Sequence, residues 1–345
     1  MSIVSSKPTI TRKELESVLD CLISERLEPG EAVKNLETEI ANLTGVRHAL
    51  AVNSLTAAYH LSFLALDIKP GDEVIIPSYF DSAALSALRQ AGGAPVLVDT
   101  GEGSLFPPID DIRARITGKT RAVVAGHTFG FHGPIGALKG IGVPLIEHAS
   151  HAIGSECDER PAGQNGAISV VSFAPSMVIT TGNGGMILTD NSRFFSTMRD
   201  LRGGPSPERL GYDYTMTDFQ AAMGLSQLSR LPDFIRRRRE IARVYFDALK
   251  TTPHRAPYAF GDSFVYQSFP VLFDAPAEKL DKYWKKNGIE VFRPYPVALH
   301  HHLSLRGMDY PQSDRLSKKL YALPIYPTLT KKEIEKITRA LGRFV

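Results

Sequence analysis

Histidine and aspartate side chains follow several apolar segments of strand length in this 345-residue chain. His148 and His151 lie in "LIEHASH", Asp81 lies in "PSYFDSA", and His127 and His132 lie in "GHTFGFHG". An imidazole paired with a carboxylate can act as a general base near neutral pH. We therefore expect His148 or His151 to be catalytic with Asp81 as partner. The two groups should lie within hydrogen-bond reach of each other or of a shared water, and the histidine should have a raised pKa.

The same residue types could instead bind a metal ion, because imidazoles and carboxylates are common ligands of transition metals. Spacing alone is weak evidence for such a site, and a histidine that hydrogen-bonds within the protein is the commoner case. We therefore predict no metal ligands. The run "HHH" at 300–302 is expected to lie in a solvated loop.

The elements that would position these residues alternate between strand and helix patterns. Apolar runs such as "DEVIIPS", "RAVVAG" and "AISVVSF" have strand length and are separated by helix-sized intervals. Repeated strand–helix–strand units predict an α/β fold with a mainly parallel sheet covered by helices. Ligands of such sheets bind outside the carboxyl ends of the strands, where these histidines and Asp81 are found.

After residue 200 the pattern changes to long helices, one of which we expect to kink near Pro232. The last hundred residues mix short strands with helices, and Trp284 is predicted to anchor an amphipathic helix. These patterns predict a large domain over residues 1–235 and a smaller C-terminal α+β domain over residues 236–345.

Charge and composition limit the kinds of partner that the protein is expected to bind. The formal net charge is only +3, and the "RRRR" run at 236–239 falls in a helical pattern where arginines line a solvated face, so no nucleic acid is expected. No stretch approaches the roughly 20 apolar residues that a membrane span needs. Two cysteines suggest no disulfide framework, which favours a cytoplasmic protein.

The chain resembles the DegT/DnrJ/StrS-type sugar aminotransferases, which have the pyridoxal-phosphate (PLP) fold of type I. The resemblance runs from about residue 30 to the C-terminus in stretches that keep the family order, among them "VKNLETEIANLTGVRHALAVNS", "VPLIEHASHAIGS", "SFAPSMVITTGNGGMILTD" and "GYDYTMTDFQAAMGLSQL". It implies a homodimer with the active site at the subunit interface and a small-molecule substrate, such as a sugar nucleotide.

Two departures from the family fall on its chemistry. The lysine that forms the internal aldimine with PLP aligns with Met177, and the aspartate that pairs with the pyridine nitrogen aligns with His148. A thioether forms no Schiff base and carries no proton, and a neutral imidazole does not hold a pyridinium as a carboxylate does. The resemblance therefore implies no covalently bound PLP, and non-covalent PLP or pyridoxamine phosphate (PMP) is disfavoured.

Further changes fall on the same cofactor pocket. Positions of the family phosphate turn, the ring-stacking aromatic residue and the motif that reaches the neighbouring subunit's phosphate are occupied by Leu55, Asp81, Asp213 and Thr215. Thr56 and Ser172 match phosphate-contacting positions, and His151 matches the residue near the ring hydroxyl. Because several pocket positions differ while the scaffold stretches are kept, the pocket has diverged as a unit.

Three functions stay open. The first, which we favour, is an enzyme that acts on a sugar or related metabolite through acid/base groups of the altered pocket. The second is a non-catalytic paralogue that partners an active aminotransferase. The third is an enzyme that holds PLP or PMP without a covalent link, as some dehydratases of this family do.

Overall fold

The computed structural model describes residues 2–157, 159–204 and 211–344. Its helices are α1 (Arg12–Ile23), α2 (Glu31–Thr44), α3 (Leu55–Ala65), α4 (Ser82–Gln90), α5 (Ile109–Ala114), α6 (Ser192–Arg202), α7 (Asp218–Leu228), α8 (Leu231–Leu249), α9 (Ala277–Lys286), α10 (Leu299–His302), α11 (Pro311–Lys319) and α12 (Lys331–Arg343). Its strands are β1 (His48–Val52), β2 (Glu73–Pro77), β3 (Ala94–Val98), β4 (Thr120–Gly126), β5 (Leu145–His148), β6 (Glu156–Cys157), β7 (Arg160–Pro161), β8 (Ile168–Ser172), β9 (Gly185–Thr189), β10 (Phe269–Leu272) and β11 (Leu320–Leu323).

Seven of these strands form one sheet in the order β1-β9-β8-β5-β4-β2-β3. Strands β3, β2, β4, β5 and β8 run parallel, whereas β9 is antiparallel to both of its neighbours. All residues of β5, β8 and β9 are buried, as expected of strands covered on both faces. The predicted α/β fold with a mainly parallel sheet is confirmed.

The helical segment after residue 217 differs from the prediction. Helix α7 ends at Leu228 and α8 begins at Leu231, so two helices replace the single kinked one. Pro232 lies in the first turn of α8, where the missing N–H would have had no helical partner. The proline therefore starts a helix.

Helix α8 connects two apolar cores. Leu231, Phe234 and Ile235 pack with α2 and the sheet, whereas Ile241 and Tyr245 pack among residues of the C-terminal part, including Trp284 of α9. The side chain of Trp284 is buried, as predicted. This change of packing along α8 supports a domain boundary after residue 235, which stays a prediction.

The arginine run at 236–239 is not a solvated face throughout. Arg236 is exposed, but the Arg238 side chain is only 3% exposed and donates hydrogen bonds to the carbonyls of Tyr266, Gln267 and Ile325. Burial lowers the Arg238 pKa to about 10, so it stays charged at neutral pH. Three of the four arginines thus have a structural role, because Arg237 and Arg239 also donate to backbone carbonyls.

Within the described part of the chain, the model contains no helix that combines the length and apolar character needed to cross a bilayer.

Candidate functional site

His148 is the last residue of β5 and lies in the interior of the site. Its side chain is 1% exposed, and its Nδ1 atom lies 2.8 Å from the hydroxyl oxygen of Tyr59 on α3. The rings of Phe80 and His151 pack edge-on against it, each with centroids 5.2 Å apart. The carboxyl end of β5 therefore presents an imidazole held by aromatic neighbours.

The Nε2 atom of His148 is buried and has no hydrogen-bond partner among the described residues. Burial, followed by the proximity of His127, lowers the His148 pKa to about 3. The imidazole is thus neutral at pH 7. A buried polar atom without a partner is costly in a folded protein and points to a ligand or water at that position.

His151 is the second imidazole of the site. Its Nδ1 accepts a hydrogen bond from the backbone N–H of Phe129 at 3.1 Å, so the neutral ring carries its proton on Nε2. Burial, followed by the proximity of His148, lowers the His151 pKa to about 3, although the Asp81 carboxylate opposes this shift. Both histidines are neutral for the same reason.

The predicted pKa rise is therefore wrong, because burial outweighs the carboxylate. Asp81 is half-buried at the N-cap of α4, where its Oδ1 accepts the Ala83 N–H at 2.8 Å. Among the described residues its hydrogen bond goes to that N–H and not to either imidazole. Its charge nevertheless acts on the site: after burial, it is the largest factor raising the pKa of Tyr59 and Tyr295.

Glu147, next to His148 on β5, is fully buried and hydrogen-bonded. Its carboxylate accepts hydrogen bonds from His127 Nε2, the Ser169 hydroxyl and the backbone N–H groups of residues 163, 165 and 166. Despite burial, these donors, led by His127, hold its pKa at about 2. His127 is thereby committed to Glu147, and His132 lies 3.0 Å from the Ser155 hydroxyl.

Met177 lies in a turn between β8 and β9, is half-buried, and donates its N–H to the Ala174 carbonyl at 3.0 Å. The glycine run after it serves internal packing. Gly184 has a φ of +153°, and a Cβ there would lie 2.6 Å from both the Met216 Cε and the Thr181 hydroxyl. Gly184 therefore gives room to the protein's own side chains, and a Cβ at Gly185 would lie 2.6 Å from the Ser54 carbonyl oxygen.

The positions that match phosphate-contacting residues of the family lie at the end of β8 and the start of α3. Ser172 is buried; its N–H donates to Ser150, and its hydroxyl accepts the Ala174 N–H at 3.3 Å. Thr56 and Leu55 are half-buried in the first turn of α3, and Leu55 packs against the large core. These contacts are internal to the protein, and a ligand contact at Thr56 or Ser172 stays a prediction.

Asp213 and Thr215 lie next to the same helix start. Asp213 is exposed with a φ of +53°, a conformation that aspartate tolerates better than most residues. Its carbonyl accepts a hydrogen bond from Asn53, which also donates its N–H to the Tyr214 carbonyl. Thr215 is half-buried. In the expected homodimer Asp213 would face the pocket of the partner subunit, which stays a prediction.

The histidine run at 300–302 departs from the expected solvated loop. It forms the one-turn helix α10, and His300 is 0% exposed, whereas His301 and His302 are exposed. The prediction is therefore wrong for His300.

Comparison with known proteins identifies the family. The DegT/DnrJ/EryC1/StrS aminotransferase family matches residues 8–342. The chain belongs to this family. GDP-perosamine synthase of Escherichia coli O157:H7 is 30% identical over 98% of this chain and 97% of its own length.

Solved structures of the family agree with the fold. The aminotransferase TlmJ from Streptoalloteichus hindustanus is 28% identical, with a TM-score of 0.91 over 99% of this chain and 98% of its own. The PMP form of the sugar aminotransferase Spr1654 from Streptococcus pneumoniae, 23% identical, superposes with a TM-score of 0.92 over 99% of this chain and 97% of its own. The fold is that of the PLP type I aminotransferases.

The residues of this family member do not fit covalently bound PLP. Met177 has no amine to form a Schiff base, and the neutral His148 supplies no charge to hold a pyridinium. Of the first donors of α3, the Ala57 N–H is already satisfied by the Ser54 hydroxyl. An internal aldimine therefore cannot form at Met177.

Sequence reasoning missed three aromatic residues of this site, Tyr59, Phe129 and Tyr295. Tyr59 follows Thr56 within one helical turn, so its position beside the strand ends could have been inferred from α3. Phe129 and Tyr295, whose rings lie 5.5 Å apart, come from distant parts of the sequence, and no spacing signal links them.

Proposed function

We propose that this DegT-family member has lost Schiff-base transamination and acts on a sugar or related metabolite that its altered pocket binds non-covalently. The observation that carries this proposal is the buried Nε2 of His148, which has no partner in the described part of the chain. By the family resemblance, it lies in a pocket where the aldimine lysine is replaced by Met177. A buried polar atom left without a partner is available to a ligand. Hydroxyl groups of a sugar can both donate to and accept from such an atom.

The roles of the site residues follow from their charge states. Asp81 supplies the carboxylate whose charge is felt by Tyr59, Tyr295 and His151, and it is the candidate general base. His148 and His151, which are neutral, bind and orient the substrate through hydrogen bonds. If the Tyr59 hydroxyl donates to His148 Nδ1, His148 carries its proton on Nε2 and presents a donor to the ligand.

A sugar nucleotide is the proposed substrate class. The support is family membership together with a relative whose name, GDP-perosamine synthase, includes a nucleotide-linked sugar. We further propose a cytoplasmic location, which the presence of only two cysteines favours.

Two other functions retain support from particular observations. The low pKa of both imidazoles also suits a non-catalytic paralogue that binds a ligand or an active partner without transferring protons. The unpaired His148 Nε2 would also suit a hydrogen bond to the ring nitrogen of PLP or PMP held non-covalently. We rank both below the first proposal because neither uses the Asp81 charge.

We also propose a homodimer, as the family resemblance implies. Helix α1 supports this, because it exposes the apolar side chains Leu15, Leu19, Leu22 and Ile23 along one side. Exposed apolar stripes of this kind mark interaction surfaces. Mass photometry should give the dimer mass for the wild type and the monomer mass for Leu19→Glu; a wild-type monomer would favour the hetero-partner alternative.

The direct test is native mass spectrometry of freshly purified protein, with absorbance scans before and after addition of PLP. We expect a sugar-type ligand, or binding of added sugar nucleotides, without a PLP absorbance band, and weaker binding by His148→Leu. Amino transfer from glutamate by the wild type would overturn the proposal. A bound PLP or PMP mass without a covalent link would select the third function instead.

A further inference from the structure

A second cluster of polar side chains lies between α10 and α11, on residues that the proposed function does not use. The Nε2 atoms of His300 and His301 lie 3.0 and 2.6 Å from the same Asp314 carboxylate oxygen, Oδ1. All three atoms lie within 4.8 Å of one another. Two imidazole nitrogens and a carboxylate oxygen therefore converge on one point.

The cluster is held in place by its surroundings. His300 is fully buried, its Nδ1 lies 2.7 Å from the Ser78 hydroxyl, and its ring stacks on Tyr310 with centroids 4.8 Å apart. A hydrogen-bond partner on the second ring nitrogen is the usual arrangement for a metal-binding histidine, because it fixes both ring orientation and tautomer. The Asp314 side chain is partly enclosed, at 19% exposure.

We propose that His300, His301 and Asp314 bind a divalent transition-metal ion of the zinc type. Zinc bonds of about 2.0–2.2 Å to nitrogen and oxygen separate tetrahedral ligand atoms by roughly 3.3 Å, so the N···O distances of 3.0 and 2.6 Å would widen by about 0.3 and 0.7 Å. Nitrogen ligands favour zinc, cobalt or nickel over magnesium or calcium. With metal on Nε2, His300 would carry its proton on Nδ1 and donate it to Ser78.

The solvent side of the cluster leaves room for an ion to enter. His301 is 42% exposed, so a water molecule can complete the coordination there. The Lys318 ammonium lies 3.3 Å from the other oxygen of Asp314, Oδ2, and its charge opposes a cation. The ion would therefore bind Oδ1 alone, and Lys318 is expected to limit its affinity.

Such a site would link the C-terminal part to the strand that leads to Asp81. Ser78, which contacts His300, follows β2 directly and is three residues before Asp81. Its carbonyl accepts the Leu299 N–H at 2.7 Å. The metal would thus hold in place the segment that carries the candidate base, Asp81. The proposed metal site does not depend on the identity of the substrate.

The test is titration of chelator-treated protein with Co²⁺, read by visible d–d absorption, followed by displacement with Zn²⁺. We expect one ion per chain in the wild type. His301→Gln, at an exposed position that should not disturb folding, should weaken binding by about tenfold or more. His302→Gln, on the same helix but outside the cluster, is the matched control and should bind as the wild type does.

A second variant tests the buried side of the site. Ser78→Ala should weaken Co²⁺ binding by about 10- to 100-fold through loss of the His300 orientation, with circular dichroism used to check folding. Equal binding by the wild type and His301→Gln, or no cobalt absorption, would overturn the proposal. Equal loss in His301→Gln and His302→Gln would also overturn it, because the metal would then belong to the surface histidines.

Discussion

Two adjacent residues of β5, Glu147 and His148, are both buried but differ in their hydrogen bonding. Glu147 is buried on one face of the sheet and accepts hydrogen bonds from five groups. His148 is buried on the other face, and one of its ring nitrogens has no partner among the residues that the structure describes. Their burial is equal, so the difference lies in how completely each is satisfied. On this strand, the carboxylate that serves the fold is saturated, whereas the imidazole at the strand end keeps a ring nitrogen without a partner among the described residues.

Glu147→Gln should produce the largest effect on stability. An amide cannot accept from all five donors, and breaking a buried ionic network of this kind costs roughly 3–5 kcal/mol. Urea unfolding should therefore show a large fall in the free energy of unfolding, whereas His148→Gln should lose less than half as much. Equal losses would contradict the distinction between the two faces.

The pH dependence of stability should separate the same two residues. His148 and His151 have folded pKa values of about 3, below the ordinary 6.5, so the unfolded chain binds more protons between these values and stability falls as pH drops from 6.5 towards 3. At pH 5 each histidine should lower the free energy of unfolding by up to about 2 kcal/mol.

Glu147 affects stability at lower pH, because its pKa is about 2 in the folded protein and 4.5 ordinarily. Its contribution to the free energy of unfolding is complete above pH 4.5 and is lost as the pH falls towards 2. Denaturant titrations at stepped pH should show both phases, and His148→Gln should reduce only the upper one. A flat stability profile between pH 6.5 and 5 would show that the imidazoles are not buried as described.

Met177→Lys tests whether the altered pocket can be returned to PLP chemistry by one substitution. We expect no efficient rescue, because His148 supplies no carboxylate for the ring nitrogen and Asp213 adds a negative charge near the helix that would bind the phosphate. Each of these defects should cost about 1–3 kcal/mol. The measurement is PLP titration of both proteins, following the aldimine absorbance and amino transfer; efficient rescue would mean that the other changes are tolerated variation.

Asp81→Asn should have the smallest effect on stability but a clear one on function. Asparagine caps helices as well as aspartate does, so α4 should keep its cap. The free energy of unfolding should therefore change by less than about 0.5 kcal/mol. Loss of the charge should lower the pKa of Tyr59 and abolish turnover. Ligand binding that persists without turnover would fit the general-base role, whereas unchanged turnover would remove Asp81 from the mechanism.

The sheet could be predicted because its strands are continuous apolar runs, such as Ile168–Ser172, that follow from burial on both faces. The location of the candidate site could also be predicted, since His148, His151 and Asp81 all lie at or just after the ends of strands. The direction of the histidine pKa shifts could not, because it depends on enclosure by Phe80 and Phe129, which the sequence does not show. Arg238 was misread for the same reason: a helical pattern does not tell which face meets a second core.

The Arg238 contacts have a mechanical consequence. This arginine lies on the helix that passes from one core into the other, and its guanidinium is bonded to three carbonyls of the C-terminal part. Any rotation of that part about α8 would break these bonds and leave a charge buried without partners, at a cost of several kcal/mol. Helix α8 and the C-terminal part are therefore expected to move as one rigid body.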